Sequence, residues 1–474
     1  MTPARIAAFA LGPIGSGAIG LITVPMLARY FPADVIGRGA LLQVGISFCL
    51  LLFGLGLEQA YVRGYHESEN KAGLFKASIL PGLLLLLLSL ALVILPWPTV
   101  VSTLLFGVPV VAYSLMAGLC FVGAFSLRFL SLIMQLQERG LDFSFCQVLP
   151  KIIFLIVIGF HVFTAEHFGL GQLLAAHAIA LAGAALVCAW MTRQDWWAHS
   201  EPIGGAQFAK QLRFGLPLIV SGLSFWAMTS LDKVNLRHYA SFHELGLYAV
   251  ANSFAGVAIA AMGIFQTICT PTAYKWHIGG VGAASIHRMT NRVLAAVVSF
   301  VVLAGLFSWC VVLILPDEYR NSQYIIPACL VGPLFFTLGE ASGIGLGIAR
   351  KSRLAMSAAM VALAVSALAN RWLVPLYGAG GAASATSIAF LVLLVLRTEF
   401  ASRHWEQVPR GRLYGFSLAI TVMGIAYALW GAYQPLFFIG LWLLLLLIAF
   451  ISFKEELSGL VAWLLRSRKG VIAP

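Results

Sequence analysis

Arg128, Lys151, Asp232 and Lys233 lie inside long apolar stretches of the chain, and Glu58 and Glu340 lie near the ends of two others. An ionisable group within a bilayer costs about 2.5–3.5 kcal/mol on insertion scales, so each is first read as functional. Arginine holds phosphate oxygens through two parallel N–H bonds, and lysine holds them as a point charge. A carboxylate at the same depth can carry a proton or a small cation. Together these residues suit a polar, partly cationic site for phosphate or diphosphate groups, although acids and bases are nearly balanced within the spans.

Each residue also has a plainer reading. Arg128 is about two turns from the end of its stretch and can extend its head group to the membrane surface, as can Lys151 after Pro150. Glu58 is little more than one turn from Arg63 and suits an ion pair at the membrane rim. Asp232 and Lys233 are adjacent on one helix and point about 100° apart, so each is expected to need a partner elsewhere or a wet cavity. Glu340 lies in the run Gly339-Glu340-Ala341-Ser342-Gly343-Ile344-Gly345-Leu346-Gly347. Small residues let helices approach closely, so packing competes there with proton transfer.

The elements that hold these residues define the class. Of 474 residues, 60% are hydrophobic and 10% charged, against about 25% charged in a soluble protein. A span needs about 20 mostly apolar residues. Stretches of that kind run near 6–28, 39–60, 77–97, 109–135, 143–164, 169–191, 213–236, 245–270, 293–315, 323–348, 354–374, 381–399, 413–431 and 435–453. The chain therefore reads as an all-α polytopic membrane protein with about fourteen spans. Residues 98–108, bounded by Pro98 and Pro109, read as an outer loop, with re-entry into the membrane as an alternative. Arg5 precedes a segment that reads as a retained first span.

Charge orients the chain. With the N-terminus inside, 22 of the 30 Lys and Arg fall in inner segments, among them Arg63, Lys210, Lys351 and Arg397, and five fall in outer ones. That asymmetry accounts for the net charge of +12 without nucleic acid and puts both termini in the cytoplasm. A faint repeat at a shift of 209 residues aligns Tyr30 with Tyr239, Gly37 with Gly246 and Gly54 with Gly263. Two parallel six-span halves commonly enclose a midplane site. The expected organisation is an N-terminal lobe over 1–200, a second lobe over 201–405, and two further spans with a basic tail over 406–474.

Enzymatic chemistry finds no support. HExxH, GxSxG and P-loop patterns are absent from the sequence. His161 and His167 flank Glu166 in a short outer loop and read as solvated. The seven cysteines show no metal spacing and read as small buried hydrophobes. No cofactor or metal is expected, and without an ATP site directional transport needs an ion gradient, substrate consumption or a membrane potential.

Several stretches resemble the polysaccharide transporter family, the O-antigen flippase type of the multidrug/oligosaccharidyl-lipid/polysaccharide exporter superfamily. They are Pro25-Met26-Leu27-Ala28-Arg29-Tyr30-Phe31 with Ile36-Gly37, and Leu55-Gly56-Leu57-Glu58-Gln59-Ala60-Tyr61-Val62-Arg63. In the second half they are Phe214-Gly215-Leu216-Pro217-Leu218, Ser230-Leu231-Asp232-Lys233, Leu245-Gly246-Leu247-Tyr248-Ala249-Val250-Ala251, Phe265-Gln266 and Pro271-Thr272-Ala273-Tyr274-Lys275. The resemblance implies two lobes around a central cavity that opens alternately to each side of the bacterial inner membrane. It implies a polyprenyl-diphosphate-linked oligosaccharide as substrate, membrane lipids as surroundings, and a polysaccharide polymerase or other assembly proteins as partners. Arg128, Lys151, Lys233, Arg63 and Asp232 are then the expected substrate contacts, with Tyr248, Asn252 and Gln266 as donors to sugar hydroxyls or as packing residues. Glu58, Asp232 and Glu340 are the expected sites of proton or sodium coupling. The rival readings are a multidrug or organic-cation antiporter led by those carboxylates, and a non-transporting component of a glycan assembly complex.

Overall fold

Long apolar stretches can satisfy their backbone groups in a bilayer as helices, and helices are what the computed structural model contains. It describes residues 3–164, 168–197, 204–256 and 283–456, with isolated positions between 257 and 282. Among the described residues there is no strand, and eleven helices are long and apolar enough to cross a membrane. One of the eleven holds two of the expected spans, the first helix is long enough for another at 28 residues, and the expected span 245–270 is described only in part. The protein is an all-helical, multi-pass membrane protein.

Contacts divide the chain into two units, Met1–Val234 and Asn235–Pro474. The first holds α1 (Pro3–Tyr30), α2 (Ala33–Phe53), α3 (Leu57–Gly64), α4 (Lys71–Ile94), α5 (Val100–Phe106), α6 (Val111–Leu136), α7 (Gly140–Thr164), α8 (Leu170–Met191), α9 (Arg193–Trp196) and most of α10 (Gly205–Tyr239). Here α6 packs on α8, and α7 packs on both α1 and α8. Leu42, Phe121, Phe125, Phe129 and Leu174 fill the core between them.

Three expectations change. The second span, expected unbroken over 39–60, stops at Phe53 because Leu55 (φ 52°) and Gly56 (φ 66°) are both left-handed. A right-handed helix cannot pass through that conformation, so α3 restarts at Leu57. A Cβ on Gly56 would also collide with the Gly215 carbonyl of α10. Residues 98–108, expected as a loop, hold α5, which Gly107 (φ 70°) terminates. Ser102 pins α5 by donating its N–H to Ser114 Oγ at 3.0 Å and accepting from Val110 N–H at 3.2 Å. Cys146 and Cys188, read as separate hydrophobes, form a disulfide between α7 and α8.

The second unit holds α11 (Phe242–Phe254), α12 (Ala283–Leu306), α13 (Ser322–Ser342), α14 (Ile344–Ile348), α15 (Ser352–His404), α16 (Gly411–Trp430) and α17 (Pro435–Ser452). The largely buried α13 lies among α11, α12, α15 and α16, and α17 packs on α12, where Trp442 covers Gly305. The 53 residues of α15 are two helical segments meeting at Gly378 (φ 50°, ψ −125°), between the spans expected at 354–374 and 381–399. Glu244 of α11 accepts the Ala379 N–H at 2.8 Å and so caps the second segment. An N-terminal cap of this kind is worth about 1 kcal/mol. Glu244→Ala should therefore lower the melting temperature of the purified protein by a few degrees, and an unchanged melting curve would show that the cap contributes nothing.

Candidate functional site

Glu58 is placed by the break at Leu55 and Gly56, which redirects the chain so that the first turn of α3 faces α6. Arg128, on the second half of α6, donates its Nε–H to Glu58 Oε2 at 2.8 Å. The pair is partly open, with side chains 40% and 30% exposed. Nε is the arginine nitrogen that Glu58 engages. The four N–H groups on Nη1 and Nη2 have no protein acceptor among the described residues, and they remain able to meet an anion.

The other expected contacts have separate surroundings. Lys151 of α7 crosses to α1, where its Nζ donates to the Ser16 carbonyl at 2.5 Å. Gly20 leaves room beside that ammonium. On α10, Asp232 is 3% exposed and accepts its neighbour's backbone N–H at 2.8 Å. Lys233 lies 3.8 Å from that carboxylate and donates its Nζ to the Thr229 carbonyl at 2.9 Å. Asp232 and Lys233, expected not to form a self-contained pair, thus come within ion-pair distance of each other, and both make further interactions besides. Cα–Cβ directions diverge, but a flexible lysine folding back along its own helix closes the gap.

Arg63, at the end of α3, stacks its guanidinium over the Phe214 ring of α10 at 4.8 Å. Tyr248 is 2% exposed in the core of the second unit, Asn252 is partly buried on the same helix, and Gln266 lies outside the described residues. Glu340 is held by Arg397 of α15, whose Nη1 lies 2.5 Å from Glu340 Oε1 and whose guanidinium stands over Phe336. Arg397 is an inner-segment charge in the sequence reading. Because α15 continues to His404, the residue lies within the helix and faces α13. Their separation of 57 positions gave no local signal.

A double-mutant cycle tests the Glu340–Arg397 pair. Glu340→Ala alone should destabilise the protein more than the double change with Arg397→Met, because the single change strands a cation. A coupling of about 1–3 kcal/mol is expected, and strict additivity would mean that the pair contributes nothing to stability. Among the described residues, no three His, Cys, Asp or Glu side chains converge as metal ligands.

A family profile described as polysaccharide biosynthesis protein matches residues 5–274, more than half of the chain. The chain belongs to the polysaccharide biosynthesis protein family. Its structure is similar to that of lipid II flippase MurJ in an inward closed conformation, with a TM-score of 0.67 at 15% identity, covering 95% of this chain and 99% of that one. Two states of a multidrug resistance MATE family transporter of the MOP superfamily are also similar. The inward-facing state gives a TM-score of 0.53 at 16% identity, covering 84% of this chain and 93% of that one. The outward-facing state gives 0.52 at 16% identity, covering 84% and 95%. Comparison with curated proteins gives no match. At these identities the structural likeness assigns this member of the polysaccharide biosynthesis protein family a MOP-type transporter fold.

Proposed function

We propose that the protein is a flippase that moves a polyprenyl-diphosphate-linked oligosaccharide from the cytoplasmic to the outer leaflet of a bacterial inner membrane. The observation that carries this reading is the Arg128–Glu58 pair. Glu58 holds the arginine at Nε, which orients the remaining N–H groups before any substrate arrives. A diphosphate entering from the cytoplasmic side would take those donors and compete with Glu58 for the guanidinium. A compensated cation of this kind is cheaper to keep in a membrane than a bare one, yet it still offers charge-assisted hydrogen bonds. Lys151 and Lys233 then serve as further phosphate contacts along an alternating-access path, while the polyprenyl tail stays in lipid.

The antiporter alternative needs a carboxylate free to take an organic cation. Glu58, Asp232 and Glu340 each have a basic side chain within 4 Å, which favours an anionic substrate. Family membership supports a role in polysaccharide assembly, and a protein named lipid II flippase shares this fold. The test is the inventory of lipid-linked glycans in cells with and without the protein. Loss of surface polymer with accumulation of diphosphate-linked oligosaccharide is expected on deletion. An unchanged inventory, with altered drug or cation efflux, would replace the proposal with the antiporter reading.

A further inference from the structure

A cavity of about 190 Å³ lies where α3 and the turn after it meet the first turns of α10. Arg63, Glu67, Gln207 and Lys210 form its exposed rim, and Ala60, Leu74 and Gln211 lie deeper. Gln211 is 8% exposed, and its Oε1 is buried without a hydrogen-bond donor among the described residues. Buried side-chain acceptors are nearly always satisfied, so an unmet acceptor in the wall of a cavity marks a place for a donor brought by a ligand. The Phe214 ring beneath Arg63 fixes one cation of the rim.

We infer that this cavity binds a singly charged phosphodiester carrying hydroxyl groups, the chemistry of a polyol phospholipid headgroup. Arg63 and Lys210 set against Glu67 leave the rim with one net positive charge, which matches one phosphate anion and disfavours a second. The Glu67 carboxylate and Gln211 Oε1 are acceptors for hydroxyl donors next to the phosphate, and the net positive rim favours an anionic headgroup over a zwitterionic one that carries its own cation. Both α3 and the start of α10 belong to the face that the distribution of Lys and Arg puts in the cytoplasm, the level of inner-leaflet headgroups. The assignment is separable from the flippase reading, because the phosphate contacts proposed there, Arg128, Lys151 and Lys233, do not line the cavity.

Native mass spectrometry of the purified full chain tests it, with phosphatidylglycerol and phosphatidylcholine presented together in equal amounts. Phosphatidylglycerol should be retained about tenfold better, the scale of one charge-assisted hydrogen bond. Lys210→Gln and Gln211→Leu, one on the rim and one in the wall, should each remove most of that preference, and Lys351→Gln, outside the cavity, should not. Competition by soluble glycerophosphoglycerol separates the sources: displacement assigns the site to the free phosphodiester, and retention against it assigns the site to the lipid. Equal retention of the two lipids, or a preference that survives both cavity variants, would overturn the inference.

Discussion

Arg128→Ala is expected to lower surface glycan export by about a hundredfold without lowering the amount of protein in the membrane. A hydrogen bond to a charged group is worth about 1.5–3 kcal/mol, and each 1.4 kcal/mol is a factor of ten. Losing a two-pronged phosphate contact therefore costs about two orders of magnitude. Arg128→Lys keeps the charge and loses the fork, so it should fall between, at about tenfold. Arg128 also neutralises Glu58, and a purely structural role would predict that breaking the pair from either side is equally damaging. Glu58→Gln separates the two cases, since it leaves the guanidinium in place with more of its donors free. Export should survive Glu58→Gln and fail in Arg128→Ala. Normal surface glycan in Arg128→Ala, or equal loss in both variants, would remove Arg128 from the site.

Gly56→Ala is expected to be a strongly damaging single-methyl change in the first unit. The left-handed conformation costs an L-residue about 1–2 kcal/mol, and the added Cβ meets the Gly215 carbonyl, a backbone atom with little freedom to yield. Overpacking of this kind adds about 1–3 kcal/mol. A total near 3 kcal/mol should appear as a large fall in melting temperature and in the yield of folded protein after detergent extraction. Gly17→Ala on α1 is the control, because among the described residues nothing outside its own helix turn lies within 4 Å of its Cβ position. Equal behaviour of the two variants would show that the approach of α3 to α10 is not tight in the membrane.

The class of the protein was legible because span length and charge asymmetry are properties of the chain read one window at a time. The limits of α6, α8 and the two segments of α15 fall close to the expected spans for that reason. What the windows missed are effects of partners distant in sequence or of single backbone angles. The break at Leu55 and Gly56 is invisible to hydropathy, because both flanking segments are apolar and a lone glycine is common in spans. Pairing of Arg128 with Glu58 needed α3 to be redirected towards α6, and pairing of Glu340 with Arg397 needed α15 to lie against α13. The rim pairing foreseen for Glu58 was with Arg63, but Arg63 instead stacks on Phe214. Composition marked these side chains as costly, and the fold supplies the partners that make them tolerable. Gln211 shows the opposite case, since an amide in a polar inner loop attracts no notice until its burial is known.

The most direct test of the flippase reading is transbilayer movement of a polyprenyl-diphosphate oligosaccharide in proteoliposomes. Purified protein is reconstituted with the glycolipid in both leaflets, and a glycosidase added outside reports the fraction that becomes accessible. Cleavage should proceed past the outer-leaflet half towards completion with wild-type protein and stop near one half with Arg128→Ala. Cleavage that stops at one half with wild-type protein, as in protein-free vesicles, would contradict the account.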